Sequence, residues 1–194
     1  MHAIVERLAR LFALMGGLVL SALIVLTCLS IVGRALNSLL HGDALQSLAP
    51  GLANALLATG LGPVNGDFEL VEAGMAFAIF AFLPLCQLNG AHASVDIFTQ
   101  KLPLRANRVL RMVIECVFAA TLVLIAWQLF EGMESKRQTG QTSFLLQYPV
   151  WWAYAFSLSG AVVAAAVSVY LAAMRSVEAL TGRIVLPPEL EADH

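Results

Sequence analysis

Three kinds of reactive side chain stand out in this sequence: carboxylates at the edges of apolar runs, one histidine–aspartate pair, and three isolated cysteines. Glu69 and Glu72 open one apolar run, and Glu115 sits near the start of another, four residues after Arg111. Carboxylates close to hydrocarbon are costly, and where they persist they commonly serve ion pathways or proton relays. Glu69 and Glu72, however, stand where the positive end of a helix dipole stabilises negative charge, and Arg111 can neutralise Glu115 across one turn. The residue types therefore favour anchoring or partner contact. The alternative is a stand-alone small proton-coupled membrane transporter that uses Glu72 or Glu115.

His92 and Asp96 belong to the stretch LNGAHASVDIFTQKLPLR, and their spacing lets them pair on one helical face. A metal site would need further ligands, and His2, His41 and His194 fall elsewhere in the chain. The pair reads as an anchor, with no metal and no cofactor expected. Cys28, Cys86 and Cys116 each lie inside an apolar run without a CxxC pattern, which predicts three small apolar core residues. Cys28 follows Leu26-Thr27, a poor setting for lipidation. No G-x-S-x-G, HExxH or phosphate-cradling glycine loop occurs, so the sequence does not read as an enzyme.

The elements that carry these residues follow from composition. The chain has 194 residues, 59% hydrophobic and 12% charged, with a mean hydropathy of +0.80. Soluble domains carry about 25% charged residues, so this chain has too few charges to solvate a globular surface. A net charge of −2 without a basic, aromatic-interleaved patch excludes nucleic acid as the partner. Apolar runs predict transmembrane helices over about 9–36, 68–90, 107–131 and 149–176, each near the 20 residues that cross a bilayer. The first run is charge-free from 11 to 33, longer than the h-region of a cleavable signal, and reads as a retained helix. The expectation is an all-α integral membrane protein forming a single membrane domain, with four transmembrane helices and short interfacial helices.

Orientation follows from the basic residues. Arg7, Arg10, Lys101, Arg105, Arg108, Arg111, Arg175 and Arg183 fall on one side, against Arg34, Lys136 and Arg137 on the other. This bias predicts that both termini are cytoplasmic. Trp127, Tyr148, Trp151, Trp152 and Tyr154 cluster where the third span ends and the fourth begins, which suits an aromatic belt at the outer interface. In the outer connector 37–67, apolar residues recur every three or four positions, are interrupted at Pro50-Gly51 and end near Gly60 to Pro63. That pattern predicts a helix lying along the interface or on another polypeptide. The cytoplasmic connector 91–106 should hold a short interfacial helix between the Asn89-Gly90 stop and Pro103. In the fourth span, Ser157, Ala161 and Ala165, with Gly160 and Ala164 offset, form a small-residue face for close helix packing on a partner that the spacing leaves open.

The connector carries a family signal as well. Gly90-Ala91-His92-Ala93-Ser94-Val95-Asp96, followed by Leu102-Pro103 and basic residues, resembles the DctQ-type small permease subunit of tripartite ATP-independent periplasmic (TRAP) transporters. Glu69-Leu70-Val71-Glu72 resembles that family's acidic entry to the second helix. Tyr148-Pro149-Val150-Trp151, with Trp152 next, resembles its Pro-x-Trp opening of the last one. The resemblance covers nearly the whole chain and implies an accessory subunit of the bacterial inner membrane. Its implied partners are a large DctM-type permease subunit, which carries the substrate and sodium sites and moves as an elevator, and a DctP-type extracytoplasmic solute-binding protein. It implies that Gly90, His92, Val95, Asp96 and Pro103 anchor the connector. Glu69, Glu72, Pro149, Trp151, Trp152, Ser157, Gly160, Ala161 and Ala164 are then the partner or interface candidates. The 37–67 connector is longer than that family layout leads one to expect.

Overall fold

The computed structural model describes residues 2–42, 47, 49–58, 60, 62–89 and 103–181. Five helices form among them: α1 (His2–Leu40), α2 (Pro50–Ala58), α3 (Asp67–Leu88), α4 (Leu104–Thr139) and α5 (Trp151–Thr181). All but α2 are long and apolar enough to cross a membrane. At 1.5 Å per residue, α1, α4 and α5 extend to about 58, 54 and 46 Å, well past a hydrocarbon core of about 30 Å. Their ends therefore stand in the headgroup region or beyond it. The result is an all-α membrane architecture, as the composition requires.

The helices pack in the order α1, α3, α5, α4, each along the next. Among the described residues α1 and α4 do not meet, and neither do the backbones of α3 and α4. The chain thus forms an open layer, with α3 and α5 inside and α1 and α4 as its flanks. Half of the most apolar stretch of α5 is buried within the chain, against 6% for α1.

Residue size explains that contrast. On α5, Ser157, Gly160, Ala161, Ala164 and Ala165 are all buried, and these small side chains let two neighbours approach at once. A Cβ on Gly160 would lie 2.9 Å from Phe80 Cβ and 3.2 Å from the Phe80 carbonyl carbon, so α5 rides directly on the α3 backbone. One turn further along α3, Pro84 is fully buried. Its ring removes the amide that would bond the Phe80 carbonyl, a break tolerated in membrane helices when neighbours enclose it. Ala164 and Ala165 pack with Leu122, Phe118, Ile125 and Ala126 of α4 and with Leu83 of α3. The small-residue face is therefore covered within the chain.

One sequence expectation changes here, at the cysteines. In the outer connector Ser47 is helical, Ala49 is not, and Pro50 begins α2, because proline's fixed φ and missing donor suit the first helical position. This helix packs on α1, with Ala53 fully buried. The cysteines are not core residues: Cys28 and Cys116 are exposed on the outside of the layer and Cys86 is partly so. Hydrophobic pattern identifies residues compatible with lipid, and lipid-facing and protein-facing positions look alike by that measure. Gly33 does have a structural requirement, since a Cβ there would fall within 2.1 Å of the Gly62 carbonyl oxygen. Only glycine lets the returning connector pass against α1.

Candidate functional site

Helices α1 and α4 run one way and α3 and α5 the other, so the molecule has two polar ends. One end, opposite the basic one, gathers the C-termini of α1 and α4 with the N-termini of α3 and α5. Here Asp67, the first residue of α3, accepts a 2.5 Å hydrogen bond from the fully buried Ser30 hydroxyl of α1. Its other oxygen accepts from the Phe68 amide at 2.8 Å. Arg34 stands 3.8 Å from Asp67, with its side chain largely in solvent. This set fastens α1 to the start of α3.

Glu69 is the hub of the same end. Its two carboxylate oxygens accept from the backbone amides of Leu145 at 2.7 Å and Leu146 at 3.0 Å, in the loop joining α4 to α5. Gly140 closes α4 in the left-handed region at φ 63°, with its amide donating to the Arg137 carbonyl. The chain then doubles back. The Val150 amide donates to the Gln141 carbonyl and the Ser143 amide to the Tyr148 carbonyl, so that Thr142 faces Pro149. Gln147, with φ 56°, takes the turn in a conformation a non-glycine residue rarely adopts, and its side-chain amide donates to the Phe144 carbonyl at 2.9 Å. The Tyr148 hydroxyl donates to the Glu69 carbonyl at 3.4 Å. Burial pushes the Tyr148 phenol above its ordinary pKa, and the Glu69 and Glu72 charges push it the same way.

Glu69, a candidate for partner contact, is therefore engaged within the chain. Glu72 is exposed one turn further along α3. Pro149 closes the loop, and Trp151 and Trp152 open α5 with ring centroids 6.1 Å apart in an edge-to-face arrangement. Trp152 is half exposed, and Trp127 on α4 more so.

The other end carries the basic residues and a polar junction that sequence reasoning missed. The buried Gln87 of α3 donates through Nε2 to Glu115 of α4 at 3.2 Å, and its Oε1 lies 2.6 Å from the hydroxyl of Ser168 on α5. Three helices thus meet through polar groups where the surroundings are apolar. The available signal was a lone amide and a lone hydroxyl inside apolar runs, since such groups rarely persist there without partners. Arg175 and Glu178 pair at 3.0 Å near the end of α5, both mostly buried. Fifteen residues, or about 22 Å of helix, separate Glu72 from the Gln87 that holds Glu115, so the two carboxylates of the transporter alternative occupy opposite ends.

Pro103 caps the start of α4 in an extended conformation, and its carbonyl accepts from the Asn107 amide at 3.1 Å. Gly90, His92, Val95 and Asp96 lie outside the described residues. Among the described residues no three histidine, cysteine, aspartate or glutamate side chains converge as metal ligands. The polar groups that do converge join helices or hold a loop.

The family model for tripartite ATP-independent periplasmic transporters, DctQ component, matches residues 23–179. The chain belongs to the DctQ family. That match runs from the middle of α1 to the last turns of α5, so it includes the outer loop and the polar junction of this DctQ chain. DctQ proteins are transporter components, not a family of enzymes. Among curated proteins and among solved structures, no match to this DctQ chain is found. Family and helices together make it a multi-pass membrane subunit of a TRAP transporter.

Proposed function

We propose that this DctQ protein is the scaffold subunit of a sodium-coupled, binding-protein-dependent TRAP transporter that takes up organic acids across the bacterial inner membrane. It binds and stabilises a large DctM-type permease subunit in the bilayer, and a DctP-type solute-binding protein delivers substrate to the complex. Both termini are cytoplasmic in this reading, which rests on the excess of Lys and Arg at the basic end. The observation that carries the scaffold role is the open layer: α1 and α4 present nearly the whole of their apolar length outward while α3 and α5 form the interior. In a bilayer such flanks are free to pack on a larger neighbour. Asp67, Glu69, Gln87 and Glu115 all bond to groups within the chain, which suits a rigid support more than a transport pathway.

The test is co-purification followed by transport. The chain should co-purify with its permease, and sodium-driven uptake by liposomes should need both subunits and the binding protein. Uptake by liposomes holding only this chain and the binding protein would reject the proposal. His92 and Asp96 are assigned to holding the basic connector in register. Alanine at either should lower complex yield before it changes substrate affinity.

A further inference from the structure

We draw no further inference here: the strongest candidate, the exposed apolar patch of Phe144 and Leu145 in the α4–α5 loop and Phe68 at the start of α3, carries none because nothing in the structure shows what covers it.

Discussion

Helices α1 and α5 are both long and apolar, yet they occupy opposite positions in the molecule. Half of the apolar stretch of α5 is buried inside the chain and almost none of that of α1. The difference lies in side-chain size. The buried face of α5 is mostly serine, glycine and alanine, with Val167 and Leu171 towards its end, whereas Leu14, Leu18, Ile24 and Leu29 of α1 point outward. In lipid, hydrophobicity does not drive helices together, because the solvent is as apolar as the side chains. Close approach and satisfied polar groups decide which helix becomes the interior. The fold is therefore held by few positions, and substitutions should separate cleanly according to which of the two helices they strike.

The largest effect is expected at the α3–α5 contact. Gly160→Leu places several carbons where even a Cβ would meet Phe80 at 2.9 Å. It should destabilise the subunit by about 3 kcal/mol, seen as a lower midpoint of thermal unfolding in detergent and a loss of monodisperse protein. An unchanged midpoint would mean that α5 is not the interior helix.

Next comes the polar junction, where Gln87→Leu keeps the volume but removes both hydrogen bonds. Membrane-buried polar contacts are worth about 1 kcal/mol each, and Glu115 and Ser168 would lose their shared partner. A double-mutant cycle between Gln87 and Glu115 should give a coupling energy of similar size. A coupling near zero would show that the junction is incidental to packing.

At the opposite end, Glu69→Ala should leave the stability of the helices largely intact and loosen the α4–α5 loop. The Leu145 and Leu146 amides lose their acceptors, so their hydrogen exchange should accelerate while that of α5 does not. Glu69→Gln keeps one acceptor oxygen and should fall between wild type and alanine. Equal exchange in all three proteins would remove Glu69 from its role as the hub of that end.

These sites differ in how readable they are from sequence. The four spans are legible because a bilayer demands about 20 apolar residues wherever a helix crosses. The small-residue face of α5 is legible as a face, but periodicity does not say what covers it, and the cover turns out to be α3 and α4. Glu69 stands out as a carboxylate at a helix start. Its partners are backbone amides in a loop shaped by Gln147 in a left-handed conformation, which no residue pattern announces. Gln87 and Ser168 look incidental singly and matter only once three helices bring them together. The cysteines misled for a related reason: Cys28 and Cys116 sit in apolar runs, yet they face out of the layer and not into its core. The family signal at residues 90–96 is the reverse case, since it was the most legible part of the chain and lies outside the described residues.

The smallest effect on the chain itself is expected on α1, and there the comparison is most exposed to failure. Leu18 and Ile24 are 72% and 58% exposed. Alanine at both should change the stability of the isolated subunit by no more than about 0.5 kcal/mol, as at other sites without internal partners. If α1 is only lipid-facing, complex yield should be equally indifferent. If it is the flank on which the permease packs, the same variant should lose its larger partner during purification while keeping its own unfolding midpoint. A stable subunit that no longer retains its permease would place the interface on α1. Full retention would shift it to α4, where Val123→Ala and Leu124→Ala, also at outward-facing positions, repeat the measurement. Indifference on both flanks would leave the open layer without its scaffold role.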